Sequence, residues 1–435
     1  TEGTYFDLEL GRSEPEATAA QRACECAGCR GDGAPDRVAH GLALLERERR
    51  AVRTAIGAGR LRERCEGRLA AEPLLAELLR YIDGHLTDLL DERTPVVADG
   101  IRTYVLRESH RRPEIRRYQE RFLTRYRAPP SKRVLLLVPC SKTKPYRNSR
   151  SHRRFRSAFE DLPGAPRIHV VSVTSPLGVV PRELEDVPPA RYYDIPVTGD
   201  WDEVERRTVR ESVERLLVTG AYERVIVHLD PNEYSFLRPA VPESLRPAWS
   251  ISDGRSTSPS SLAALREAAS DALEGTRAPE GGPLAVVREE LEAIAAFQFG
   301  PAAAAALFEP PVRLHGRPWF QRVTDPAGTD LATWRDERGL FQLTVAGGER
   351  LLATRTLQVE VRADVPLNGD LFVPGVERAD SGIRTGDAVV LTRKQQLLAV
   401  GEAEMPGPLM MELERGLAVQ VRHRSHAGIP PPTPT

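Results

Sequence analysis

Val134-Leu135-Leu136-Leu137-Val138-Pro139-Cys140-Ser141-Lys142-Thr143-Lys144-Pro145-Tyr146 decides how this chain is read. Its five consecutive apolar residues fit a strand covered on both faces, the pattern of a parallel sheet. The residues after Pro139 are polar and end the strand. Ile168-His169-Val170-Val171-Ser172-Val173 and Val225-Ile226-Val227-His228-Leu229 repeat the pattern. Between those two runs, Val204, Val213, Leu216 and Leu217 keep helical spacing, and Gly220 is a stop signal. Strand–helix alternation over 131–275 predicts an open α/β sheet. Ligands of such sheets bind beyond the carboxyl ends of the strands. Three strand ends deliver Cys140-Ser141-Lys142, Thr174-Ser175-Pro176 and Asp230-Pro231-Asn232-Glu233 to one rim. Turns alone would account for the prolines. They would not demand a cysteine, two lysines, Tyr146 and His152 so close together.

Composition sets the class around this sheet. The chain has 435 residues, of which 28% are charged and 40% hydrophobic, as in ordinary globular proteins. That length suits two to four domains of about 100–200 residues. The formal net charge is −1, so overall charge does not announce nucleic-acid binding, and an RNA site would have to be a local basic patch. No apolar run approaches the roughly 18 residues that span a bilayer, and no signal peptide opens the sequence. The first residue is Thr1, which points to a fragment. Three of the five cysteines, Cys24, Cys26 and Cys29, sit within six residues. Such clustering reads as metal ligation in a reducing cytosol, not as a disulfide framework.

The expected fold is a multidomain α/β and α+β chain. Residues 1–90 form a zinc-binding helical segment. In it Cys24, Cys26, Cys29 and His40 offer three thiolates and one imidazole, the closed tetrahedral set of structural zinc. Gly31, Asp32, Gly33 and Pro35 make the loop that lets the chain return. Leu42, Leu45, Val52 and Ile56 follow at helical spacing, Gly57 and Gly59 end it, and Cys65 packs in a core. Residues 91–130 are an Arg-rich helical connector that stops at Pro129-Pro130. The stretch 250–285, rich in Ser, Ala, Gly and Pro, suits a linker. Residues 286–355 are a small α+β domain. Residues 356–428 are short β-type runs with Gly-rich turns, a small barrel, and 429–435 a frayed tail.

Three groups of residues carry a family resemblance. Pro139-Cys140-Ser141, Lys144-Pro145-Tyr146, Ser149 and His152 fit a P-C-S-x-x-K-P-Y-x-x-S-x-x-H signature similar to that of archaeosine synthases, as does Thr174–Glu183. Cys24, Cys26, Cys29 and His40 resemble the zinc motif of those proteins and of tRNA-guanine transglycosylases, with a shorter gap before the histidine. The large catalytic barrel that precedes the motif in transglycosylases is absent from this sequence, so the resemblance implies a structural zinc site and not base exchange. Val376–Asp380, Ile383–Asp387, Val400-Gly401 and Arg415–Val419 resemble a PUA domain, an RNA-binding barrel. Residues 297–345 resemble the domain that precedes PUA in the same proteins.

The resemblance implies the C-terminal half of an archaeosine synthase, acting on 7-cyano-7-deazaguanine already built into tRNA. Such an enzyme attaches the side-chain amine of free lysine to the nitrile, and a radical SAM partner completes archaeosine. Cys140 is then a candidate nucleophile, since a thiolate adds to a nitrile and is favoured beside cations such as Lys142, Lys144 and Arg147. The alternative is an inert thiol capping a strand. Lys144, Tyr146 and His152 are candidates for positioning lysine and moving protons, although Lys144 and Arg147 could instead grip phosphate. Ser141, Lys142, Ser149, Ser175, Arg182, Glu183 and Asp230 are candidate substrate contacts. Arg415, Arg422 and Arg424, with His423 between, offer an edge for RNA phosphates. A base-exchanging transglycosylase and a non-catalytic tRNA-binding subunit are the competing functions.

Overall fold

A computed structural model describes residues 4–7, 12–15, 24–30 and 36–425, apart from 72, 99, 197–198, 252, 278–281 and 310–311. The return loop at 31–35, the barrel's expected end at 426–428 and the tail at 429–435 lie outside the described residues. The chain divides into two compact units, residues 1–90 with 98–112 and residues 91–97 with 113–435. No described helix is long and apolar enough to cross a membrane.

In the first unit, β1 (Thr4–Asp7) pairs antiparallel with β2 (Arg12–Pro15). Helix α1 (Arg37–Gly57) starts where the Asp36 carboxylate accepts the Val38 and Ala39 amides at 3.0 Å each, a side-chain cap for otherwise orphaned donors. Helices α2 (Leu61–Glu66) and α3 (Pro73–His85) follow. They are tied by buried charge. Glu66 accepts Arg112 at 2.9 and 2.5 Å and the Ser109 hydroxyl at 2.6 Å. Arg62 bridges Glu66 at 2.8 Å and Asp83 at 2.6 Å. The helical period predicted over this stretch is present, but its apolar face is not a core. Leu42, Leu45 and Ile56 are exposed, and Leu45 and Val52 line an apolar hollow of about 630 Å³ with Leu61, Leu75, Leu78 and Ile82. Cys65, expected in a core, is exposed.

The second unit follows helix α4 (Thr87–Arg93), which spans the division, and begins with α5 (Pro113–Thr124), inside the stretch read as a connector. One face of α5 is buried through Ile115, Tyr118 and Phe122. Tyr118 donates to the Val179 carbonyl at 3.1 Å and the Gln119 amide to that of Pro176 at 2.6 Å. The sheet below contains β3 (Val134–Pro139), β4 (Ile168–Thr174), β5 (Gly178–Pro181), β6 (Arg224–Val227) and β7 (Ala248–Trp249). Its spatial order is β5-β4-β3-β6-β7, all neighbours parallel except the β4–β5 hairpin. The crossovers carry α6 (Arg150–Ser157) and α7 (Glu203–Thr219), and α8 (Pro259–Glu274) follows the last strand. Val134, Leu136 and Val138 of β3 pack with Phe155 of α6 and with Leu265, Ala269 and Leu273 of α8 in one core. The linker expected at 250–285 is therefore corrected: its middle, Pro259–Glu274, is α8. Small alanines let that helix lie close to the sheet, and the same alanines disguise it as low-complexity sequence.

Beyond α8 come α9 (Gly282–Phe299) and α10 (Pro301–Phe308). A four-stranded antiparallel sheet follows: β8 (Arg313–Arg317), β9 (Phe320–Thr324), β10 (Asp330–Arg335) and β11 (Phe341–Leu343). Helix α11 (Val345–Leu351) closes this module. The last module is a six-stranded mixed sheet of β12 (Gln358–Val361), β13 (Leu371–Phe372), β14 (Val376–Ala379), β15 (Ala388–Arg393), β16 (Gln396–Ala403) and β17 (Leu417–Arg424). Their order is β13-β17-β16-β15-β12-β14, with α12 (Gly407–Glu412) between β16 and β17.

A buried polar network lies where β4 begins and β5 ends. Tyr126 donates to Glu183 at 2.6 Å, His169 Nε2 lies 3.2 Å from the same carboxylate, and His169 Nδ1 lies 2.5 Å from the Tyr222 hydroxyl. These partners outweigh burial and pull the Glu183 carboxyl down to about 2. A depressed carboxyl pKa stabilises the fold above the unfolded value of 4.5 and ceases to do so as pH falls through the folded one. At about 1.4 kcal/mol per unit, the full effect is of the order of 3 kcal/mol. Glu183→Gln should therefore be less stable than wild type at pH 6 in urea unfolding. That gap should close steadily as pH drops from 4.5 towards 2; a constant gap would mean that Glu183 contributes only its shape.

Candidate active site and metal centre

Three parallel strands end together, and their following loops build one cluster. Cys140 follows β3, Thr174 closes β4, and the Asp230–Tyr234 loop follows β6. Asp230 Oδ1 accepts the Asn232 and Glu233 amides at 2.9 and 3.1 Å, so Asp230 shapes its own turn and presents Glu233. Trp201 Nε1 donates to Glu233 at 3.1 Å. The Ser175 hydroxyl donates to Glu205 in the first turn of α7, where Asp202 and Glu205 form a reciprocal cap.

Lys144 and Tyr146 reach back over Cys140. The Lys144 ammonium lies 4.3 Å from the Tyr193 ring centroid and 5.7 Å from that of Tyr146, a cation–π arrangement. The Tyr146 and Tyr193 hydroxyls are hydrogen-bonded to each other, and Thr174 Oγ1 lies 3.3 Å from the first and 2.5 Å from the second. Burial keeps both phenols protonated far above neutrality. Burial also pushes the Cys140 thiol up; the Thr174 hydrogen bond and Lys144 pull it back, while Glu233 adds to the rise. This corrects the sequence expectation of a cation-lowered thiol, because loss of solvation outweighs one neighbouring ammonium. Burial pushes Lys144 down, against the pull of Cys140 and Asp194.

His152 lies beneath this loop. Its ring stacks 5.3 Å from Tyr146, and Nε2 lies 3.0 Å from the Pro139 carbonyl. Nδ1 has no hydrogen-bond partner among the described residues. Burial, with help from Arg182, lowers its pKa to about 3, so the ring is neutral and donates from Nε2. Ser149 caps α6, its hydroxyl accepting the His152 amide at 3.2 Å. Lys142 is exposed and Ser141 half-buried beside the thiol.

The fold does not bring Glu183 to this cluster. The antiparallel β5 carries the chain back to the opposite end of β4, where Glu183 is spent on Tyr126 and His169. Arg182 is held by Glu185 at 3.1 Å. Conversely, Tyr193, Trp201, Glu205 and Tyr234 belong to the cluster and carried no sequence signal of their own. Tyr193 is 47 residues from the phenol it touches.

The candidate metal site lies in the first unit. Cys24, Cys26 and Cys29 Sγ sit 3.6, 3.2 and 3.3 Å from His40 Nδ1. All four ligand atoms lie within 4.8 Å of one another. The cysteine turn meets the first turn of α1 at Gly28, where a Cβ would come within 2.5 Å of the Asp36 carbonyl and the His40 amide. Three soft sulfurs and one imbedded imidazole nitrogen suit a closed tetrahedral ion.

Among the candidate RNA contacts, Arg422, His423 and Arg424 line up exposed on β17. They border a hollow of about 800 Å³ whose other wall includes Thr329, Thr344 and Glu349. Arg415 is exposed in the turn before β17, outside that hollow.

Known proteins share this arrangement. Residues 115–269 match a domain of unknown function (DUF5591), 289–356 the patch-forming domain C2 of tRNA-guanine transglycosylase, and 363–424 the PUA domain. A crystal structure of a protein of unknown function shares the fold over 70% of this chain and 98% of its own, at TM-score 0.52 and 24% identity. The tRNA-guanine(15) transglycosylase of Thermococcus kodakarensis is 34% identical over 33% of this chain and 26% of its own length. The archaeosine synthase subunit alpha of Methanosarcina acetivorans is 35% identical over 88% of this chain, which spans 61% of that protein. The archaeosine synthase of Haloferax volcanii is 35% identical over 92% of this chain, which spans 67% of that protein. With that identity across that share of both sequences, the chain belongs to the archaeosine synthase family.

Proposed function

We propose that this chain modifies tRNA in archaeosine formation, transferring free lysine to the nitrile of 7-cyano-7-deazaguanine in tRNA. The observation that carries the reading is the convergence of Cys140, Lys144, Tyr146 and Thr174 at one sheet rim in a member of this family. In the proposed chemistry, Cys140 Sγ adds to the nitrile carbon. As the S–C bond forms, one C–N π bond opens and the thiol proton passes by way of Lys144 to the nitrogen, leaving a thioimidate. The side-chain amine of lysine then attacks the same carbon. The C–S bond breaks, the sulfur takes back a proton from the attacking nitrogen, and lysine is left on the base through an amidine. Two additions of moderate barrier replace one difficult one. Tyr146 and Tyr193 hold the loop, and His152 supports it through Pro139.

Ser141, Lys142, Ser175 and Asp230 lie in the loops that follow β3, β4 and β6 and are the proposed substrate contacts. The reaction is placed in the cytoplasm, with a radical SAM partner completing the base. Arg415, Arg422 and Arg424 are the proposed RNA contacts, with the barrel recognising phosphate and shape. Cys24, Cys26, Cys29 and His40 are the proposed zinc ligands, with a structural role.

Three measurements test these assignments. Lysine-dependent mass gain on nitrile-bearing tRNA should appear with the purified chain alone. It should fall by several orders of magnitude in Cys140→Ser, while tRNA binding persists and wild type without lysine forms a mass adduct. Turnover of the variant within about tenfold of wild type, about 1.4 kcal/mol of barrier, would rule out covalent catalysis. For the tail, the Arg422→Ala/Arg424→Ala double variant should flatten the salt dependence of tRNA binding by roughly two phosphate contacts; an unaltered slope would remove β17 from the interface. For the metal, elemental analysis after reducing, chelator-free purification should find about one zinc per chain. Cys26→Ala should lose it and unfold earlier; zinc-free wild type would sink the assignment.

A further inference from the structure

Arg147 directly follows Tyr146, and its side chain is where two modules of the second unit meet. The guanidinium lies 2.7 Å from Asp186 and 3.6 Å from Asp336, and its backbone amide donates to Glu185 at 2.9 Å. Asp186 and Glu185 follow β5; Asp336 opens the turn after β10. Arg191 adds a second clasp, lying 3.5 Å from Asp186 and donating to the Asp336 carbonyl. The same turn is pressed onto backbone. Gly339 has φ of 67°, and a Cβ there would fall far inside contact distance of the Asp186 carbonyl.

The charged path continues into the barrel. Arg338 pairs with Glu402 of β16, and Glu402 in turn lies 3.2 Å from Arg422 of β17. Arg422 is half-exposed, on the edge proposed for RNA. Asp186 and Glu185 are buried. Exposed ion pairs are worth little and tolerate movement; buried ones hold their partners to one geometry, because a misplaced partner leaves a charge unsolvated.

We propose that the 335–339 turn is a positioning element for the reactive loop. Asp336 holds Arg147, and through it Tyr146 and Lys144, in register over Cys140. Arg338 links that hold to the occupancy of the barrel edge. An RNA phosphate that draws Arg422 away leaves Glu402 to Arg338 alone, and the turn is reset as RNA docks. This rests on the reading of tRNA as the substrate. Asp336 and Arg338 touch none of the reacting atoms, so both act by position.

The test uses Asp336→Ala, Asp336→Glu and Arg338→Ala in the full chain, with Asp364→Ala, the exposed partner of Arg362, as control. Each is assayed on whole nitrile-bearing tRNA and on a short stem-loop carrying the same base. Asp336→Ala should lower kcat about tenfold on both, the scale of a modest misplacement, with tRNA affinity unchanged. Asp336→Glu should recover most of it. Arg338→Ala should lower kcat on whole tRNA only. Unchanged kcat in Asp336→Ala, or equal loss on both substrates in Arg338→Ala, would overturn the proposal. Alkylation of Cys140 by iodoacetamide, followed by mass spectrometry with and without tRNA whose base carries no nitrile, gives a readout independent of turnover. tRNA should change that rate in wild type and in Asp364→Ala but not in Arg338→Ala. If wild type forms no lysine adduct, the proposed reaction fails while the labelling pattern still judges the link; if tRNA changes Cys140 labelling equally in wild type and Arg338→Ala, the link is wrong.

Discussion

Strand β3 has no solvent on either face, and the position of Cys140 depends on that. All of Val134–Val138 are fully buried, between β4 and β6 in the sheet and against α6 and α8 on one side. A one-residue slip would turn every side chain to the wrong face and break both ladders. The register therefore fixes where the strand must end. His152 then takes the Pro139 carbonyl, and Tyr146 stacks on His152. Apolar packing fixes where the reactive loop starts, and the loop's own polar contacts, Arg147 with Asp186 and Asp336 among them, fix how it lies over Cys140.

Within that frame, the two reactive groups are held away from their charged forms. Burial raises the thiol and lowers the amine, and each is the other's main source of relief among charged neighbours. A proton moved from Cys140 to Lys144 creates an ion pair in which each charge offsets part of the other's desolvation. Such a pair is an internal proton store: the thiolate becomes available together with the ammonium that can protonate a nitrile nitrogen. Glu233 opposes the thiolate, so anything that neutralises Glu233 on binding favours the nucleophile.

The fold's centre was legible because its signal is contiguous. Val134–Val138 and the motif after it lie in one stretch, as do the cysteines with His40, and local sequence is what patterns record. The remainder of the site comes from side chains that meet only in three dimensions. Tyr193, Trp201 and Asp336 belong to short or irregular segments whose composition says nothing of their neighbours. Glu183 lies away from the cluster for a definite reason: a four-residue antiparallel strand reverses the chain between Thr174 and Glu183, and a short apolar run does not reveal its direction. The exposed Leu42, Leu45 and Ile56 show the limit of periodicity, which finds a helix's apolar face but not what covers it.

Buried or half-buried charge in the second unit gathers at the joints between its modules. Arg117 of α5 and Arg384 of the barrel share Asp91, at 2.8 Å each. Arg147 joins the sheet domain to the 335–339 turn, and Arg338 joins that turn to Glu402. Desolvation costs most of what such pairs gain, so apolar contacts would stabilise the joints as well or better. What apolar contacts lack is direction: greasy surfaces slide by a fraction of an ångström at little cost, and a guanidinium between two carboxylates does not. If, as proposed, the base sits on one module and its RNA on another, the angle between them matters more than the last kilocalorie of stability. The distribution of arginine along this chain fits that need.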